Sequence, residues 1–129
     1  MITPRKLLCF VYLLFAFAGA LLPTLANIEF MKSYGPGFDI GEFIELANVN
    51  PAAQSLSRDL AVGSGAVFVW IIAEARRLKV KYLWLVIITT FTIAFAFSAP
   101  LFLFLRERRL IELEKQGVAI DLFESNLAK

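Results

Sequence analysis

Residues 82–105 read YLWLVIITTFTIAFAFSAPLFLFL, twenty-four positions without a charged side chain. At about 1.5 Å per helical residue, twenty of them already match the roughly 30 Å hydrocarbon core of a bilayer. The stretch therefore predicts a membrane-spanning helix. Tyr82 and Trp84 stand where interfacial aromatic anchors belong. Pro100 has no N–H to donate to the Ala96 carbonyl, which predicts a kink, with Ser98 close by to satisfy freed backbone groups.

A basic turn precedes this stretch, Arg76-Arg77-Leu78-Lys79-Val80-Lys81. Before the turn lies a second apolar helix. Asn50 is a good N-cap and Pro51 is tolerated at the first helical position, so the helix opens there and runs through Ala75. Its apolar centre, Leu60 to Ala73, is short for a span. The flanking turns, with long side chains reaching back to the interface, extend the span to residues 56–75. At the amino terminus, Arg5 and Lys6 are followed by the uncharged run Leu7–Leu22, and a helix over 7–26 is long enough to cross. The competing reading is a signal peptide, with Thr24-Leu25-Ala26 resembling a small-residue cleavage site. The sixteen-residue apolar centre exceeds the usual roughly 7–15, which favours a retained helix.

Composition agrees. The 129-residue chain is 59% hydrophobic and 19% charged, where an average soluble domain is roughly 45–50% apolar and about 25% charged. Its mean hydropathy is +0.71. Thirteen Phe against seven Gly and five Pro exclude a disordered or collagen-like chain. The length allows one domain, residues 1–129. A formal net charge of +2 gives no reason to expect nucleic acid as a partner.

Between the first two spans, residues 27–50 are polar. Tyr34-Gly35-Pro36-Gly37 reads as a turn. Asp39 can cap a short helix over Ile40 to about Ala47, Glu42 completes a capping box, and Phe38 and Phe43 occupy the hydrophobic-staple positions. This helix is expected to lie along the membrane surface. After the third span, the tail 106–129 begins with a polar helix in which Arg108 and Glu112 pair at i,i+4, and Gly117 stops it. The whole predicts an all-α integral membrane three-helix bundle with a short interfacial helix in its first loop.

Arg5, Lys6 and the basic turn share one side of such a bundle, which places the amino terminus in the cytoplasm by the positive-inside rule. Three spans then put Arg106, Arg108 and Arg109 on the opposite side, which strains the same rule.

Little in the sequence carries chemistry. The chain has no His, its single Cys9 lies in an apolar run, and the apolar centres hold no ionisable side chain except Cys9 and aromatic hydroxyls. Transporters, proton relays and intramembrane hydrolases need charge at depth. No catalytic residue, metal site or cofactor is expected; contact with chlorophyll or carotenoid through the many Phe rings is the one cofactor alternative, without His as an axial ligand. Candidate partner or lipid contacts are Arg58 and Asp59 at the membrane boundary, and the small-residue stripe Ser57, Ala61, Gly65 on the second helix. Ala16 with Ala20, and Thr92 with Ala96 and Ala99, form similar stripes on the other spans. Phe123, with Ile120 and Leu127, gives the tail an apolar face that could dock.

Asn50-Pro51, Asp59, Glu74-Ala75-Arg76-Arg77-Leu78, Leu83-Trp84 and the run Ala99-Pro100-Leu101-Phe102-Leu103-Phe104-Leu105-Arg106-Glu107 together resemble domain of unknown function 2834, a family of small cyanobacterial membrane proteins. The resemblance covers roughly Leu14 to Glu114, is strongest after Asn50, and its loop from Leu22 onward is similar to the marine picocyanobacterial form. It implies a three-helix protein of a photosynthetic organism and supplies no catalytic residues.

The expected function is a non-catalytic integral subunit or accessory factor of a larger membrane complex, with membrane lipid and partner subunits of a photosystem or similar assembly as partners, in the thylakoid or plasma membrane. The alternatives are a small lipid-modifying enzyme using the loop carboxylates Asp39, Glu42, Glu45 or Asp59, and a transporter component.

Overall fold

The computed structural model describes residues 2–117 and 126–128. Among them the chain forms α1 (Pro4–Tyr34), α2 (Ile40–Leu46), α3 (Pro51–Leu78), α4 (Leu83–Thr92) and α5 (Phe95–Lys115), with no strand. Two of these helices, α1 and α3, are long and apolar enough to cross a membrane.

Each start follows from local chemistry. Thr3 caps α1 by accepting from Lys6 N, with Pro4 at the first helical position. Asn50 caps α3 by accepting from Ala53 N at 2.9 Å, with Pro51 next. Half of the expected capping box forms at α2: Asp39 accepts from Glu42 N at 3.1 Å, but the Glu42 carboxylate does not return a bond to Asp39 N; the Phe38 and Phe43 rings meet 5.1 Å apart as the staple. The first helix outruns its prediction. It continues eight residues past Ala26 to Tyr34, where Phe30 stacks on Tyr34 and meets the Phe38 and Phe43 rings. That aromatic cluster holds the end of α1 against α2.

The apolar stretch 82–105 is not one helix, and this corrects the expected third span. It breaks at Ile93–Ala94, where Ala94 is extended. The break lies six residues before Pro100, which sits inside α5. Three hydroxyls explain its position. Thr89, Thr90 and Thr92 each donate to a carbonyl of the preceding turn, Leu85, Val86 and Ile88 respectively. Such back-bonding, on β-branched residues with little helix propensity, loosens the turn that would continue α4.

After the break the chain doubles back. Thr90 Oγ1 and Ser98 Oγ share a hydrogen bond of 2.8 Å across the two helices, and Tyr82 at the start of α4 lines one cleft with Phe104 of α5. Thus α4 and α5 form a helical hairpin whose two ends return to the same side. Against this hairpin α1 runs antiparallel, with Arg5 beside Glu114 and Gly19 beside Ala96. α3 runs parallel to α5, with Trp70 against Phe102, Glu74 against Arg106 and Leu78 against Arg109.

The buried core lies where the carboxyl half of α3 meets the hairpin: Ile71, Ala75, Leu78, Val80, Val86, Phe102, Leu110 and Leu113. The amino-terminal half of α3 is nearly bare. Leu56, Leu60 and Val62 are each 65–74% exposed.

Candidate functional site

The feature sequence reading missed is a continuous chain of ion pairs that joins three helices at one end of the molecule. Glu74, near the end of α3, accepts two bonds from Arg77 one turn later (2.7 and 2.6 Å) and one from Arg106 Nε of α5 at 2.9 Å. Arg106 also reaches Glu107 at 3.3 Å and lies over the Trp70 ring, 5.9 Å from its centroid. Glu107 accepts from Arg5 of α1 at 3.0 Å, and Arg5 continues to Glu114 at 2.6 Å. Glu74 and Glu107 are only 6% and 4% exposed.

Burial of two carboxylates is costly unless each is paired and hydrogen-bonded. Here each carboxylate faces two guanidinium groups, whose planar forks suit this pairing better than lysine would. The arrangement fixes the register of α1 and α3 on α5.

The end of α3 is held in the same way. Lys79 takes a left-handed conformation (φ 54°), Val80 N donates to Ala75 O, and Arg109 Nε donates to the Leu78 carbonyl at 2.9 Å. Arg109 also pairs with Glu112 at 3.0 Å, so the expected Arg108–Glu112 pair gives way to an i,i+3 pair one residue along. Arg108 is exposed and, among the described residues, makes no ion pair.

The sequence-predicted contact residues do not come together. Ser57 is half-buried, and its hydroxyl donates to the Ala47 carbonyl at 2.7 Å, tying α3 to the end of α2. Arg58, Asp59, Ala61 and Gly65 are exposed, and a β-carbon at Gly65 would meet nothing within 4 Å. Phe123 lies outside the described residues. The two other small-residue stripes do find each other: Ala16 is buried, and Gly19 beside it packs on the backbone of Ala96. Of the loop acids, Asp39 is engaged in the α2 cap, while Glu42, Glu45 and Asp59 are surface residues. No group of three or more His, Cys, Asp or Glu among the described residues could hold a metal ion.

In the sequence the members of the ion-pair chain stand only as charges at the edges of apolar runs. Arg106 and Glu107 follow an apolar run directly, and Glu74 and Arg77 end another. Read as a hairpin, 82–105 returns the first pair to the second.

An all-helical chain with two helices of membrane-crossing length, locked at one end by paired charges, is the class of protein these features define. The family described as Protein of unknown function DUF2834 matches residues 11–108, and the chain belongs to it. No curated protein and no solved structure matches it.

Proposed function

We propose that this is an integral membrane protein acting as a non-catalytic subunit or accessory factor of a larger membrane complex. The observation that carries the reading is the bare face of α3, whose most apolar window is only 6% buried within the chain. On that face Gly65, one and two turns after Ala61 and Ser57, leaves open backbone where a second helix can approach closely. Small residues give up little by facing lipid, but they are the residues that helix–helix contact in lipid uses.

α1 and α3 cross the bilayer, and the α4–α5 hairpin enters from the charged end and returns. Ala96, near the hairpin tip, is level with Gly19, twelve residues beyond Leu7, or about 18 Å into the apolar layer. Arg5, Lys6, Arg76, Arg77, Lys79, Lys81, Arg106, Arg108, Arg109 and Lys115 share that end, whereas Lys32 and Arg58 lie toward the other. The positive-inside rule makes the charged end, with the amino terminus, cytoplasmic. The family resemblance favours a cyanobacterial host and a photosynthetic complex in the thylakoid, and Phe-rich helices would tolerate pigment at the contact.

The test is purification of the tagged full-length chain in mild detergent, with absorption spectroscopy of what accompanies it. Stoichiometric partner subunits support the reading. Recovery only as a free monomer or self-oligomer overturns it.

A further inference from the structure

Among the described residues, the acids at the charged end are all engaged. Glu74, Glu107, Glu112 and Glu114 each pair with an arginine. Among the described residues, Lys6, Arg108 and Lys115 have no such partner. These three cations stand around one groove of about 390 Å³ between α1 and α5. Its apolar walls include Cys9, Leu13 and Phe104. Glu112 also reaches the groove, but Arg109 holds it at 3.0 Å. The result is a cleft with an apolar floor, a cationic mouth and, among the described residues, no free acid, placed at the boundary where charged helix ends leave the apolar layer.

That combination fits one kind of occupant. An acyl chain covers apolar wall without leaving polar groups unsatisfied, while a phosphodiester at the boundary meets a guanidinium able to bind two of its oxygens. A zwitterionic lipid would bring its own ammonium or choline cation to the same mouth. We infer that the α1–α5 groove is a binding site for an anionic glycerophospholipid, with Arg108 and Lys6 on the phosphate and Lys115 beside them. The inference rests on the membrane reading above. It goes further in naming one groove and one headgroup charge.

Native mass spectrometry of the full-length chain in uncharged detergent tests it, with dioleoyl-phosphatidylglycerol and dioleoyl-phosphatidylcholine as probes. The expected result is retention of one phosphatidylglycerol about tenfold better than phosphatidylcholine, the effect of one charge-assisted contact. Arg108→Gln together with Lys6→Gln should abolish that preference, whereas Arg58→Gln, at the opposite end, should keep it. Both altered positions are exposed, and thermal unfolding of the double variant confirms that it folds. Equal retention of the two lipids, or a preference that survives the double substitution, overturns the inference. Competition by millimolar inorganic phosphate as effective as by the lipid would also overturn it, since the acyl chain would then contribute nothing. Carbonate extraction of membranes separates the two readings: a chain released without detergent sinks the membrane assignment, while a chain that stays embedded but shows no headgroup preference sinks this site alone.

Discussion

Gly19 of α1 packs directly on the backbone of Ala96 at the start of α5, where a β-carbon on Gly19 would overlap the Ala96 carbonyl. Both partners have a proline four residues on, Pro23 and Pro100, so neither carbonyl receives the usual helical N–H. The two helices therefore cross where each has a missing backbone bond, and glycine lets them come close enough for Cα–H contacts to the exposed oxygen. Gly19→Val should force α1 off the hairpin and destabilise the protein by about 2–3 kcal/mol, as overpacking does elsewhere. Thermal unfolding in detergent checks this, with Gly65→Ala as its control. Because nothing lies within 4 Å of Gly65, that variant should unfold like the parent or slightly later, through helix propensity.

The paired charges predict an uneven response to neutralisation. Glu74→Gln leaves the Arg77 and Arg106 guanidinium groups beside a neutral amide in a site that is only 6% exposed. Breaking a buried pair from one side costs about 3–5 kcal/mol. Glu114→Gln removes a half-exposed partner of Arg5 and should cost less than about 1 kcal/mol. Similar melting temperatures for the two variants would mean that the chain of pairs is not what joins the helices.

At Lys79 the left-handed conformation ends α3. A β-branched side chain is strongly disfavoured there, so Lys79→Val should lower stability by about 1–2 kcal/mol. Lys79→Gly should leave it unchanged within about 0.5 kcal/mol, since relief of the strained φ offsets the loss of a cation near the helix end. Unfolding midpoints of the two variants, measured side by side, decide the matter.

Much of this architecture is legible in the residue order. Asn50-Pro51, Asp39 with Phe38 and Phe43, and the apolar runs of α1 and α3 announce themselves because capping and hydropathy are local. The fold of 82–105 is not, since length alone fits a span and Pro100 draws attention from the real break. The discriminating cue was Thr89-Thr90-Phe91-Thr92-Ile93, a run β-branched at every position but Phe91, whose threonine hydroxyls bond backward. The ion-pair chain was hidden for the same reason. Glu74 and Arg106 become neighbours only after the hairpin turns, so each reads in sequence as an ordinary boundary charge.

Within the hairpin, the Thr90–Ser98 hydrogen bond crosses between α4 and α5, and Ser98 is fully buried. Thr90→Val keeps the side-chain shape and removes the hydroxyl that meets Ser98. Interhelical hydrogen bonds between membrane helices average about 0.6 kcal/mol, so the effect on stability should be near that value. Gly19→Val, by contrast, acts through the backbone and should be several times larger. A Thr90→Val variant as damaging as Gly19→Val would show that the hydroxyl contact, rather than close packing on α1, sets the hairpin.

The hairpin itself makes the sharpest prediction, because it reverses the side on which the carboxyl-terminal half of α5 emerges. In a background where Cys9 is replaced by Ser, single cysteines at Lys81, Lys115 and Glu42 report on the two faces of the membrane. A single third span would put Lys81 and Lys115 on opposite sides. The structure puts them at one end of the molecule, since Tyr82 and Arg108 line the same cleft and Arg5 pairs with Glu114. A membrane-impermeant maleimide added to sealed right-side-out vesicles should therefore label Lys81→Cys and Lys115→Cys alike, and Glu42→Cys oppositely. The pairing of results matters more than which face reacts, so the outcome is independent of orientation. Opposite labelling of Lys81→Cys and Lys115→Cys would rule out the return of α5. It would also leave Arg5 and Glu107 on different sides of the bilayer, where no ion pair between them could form.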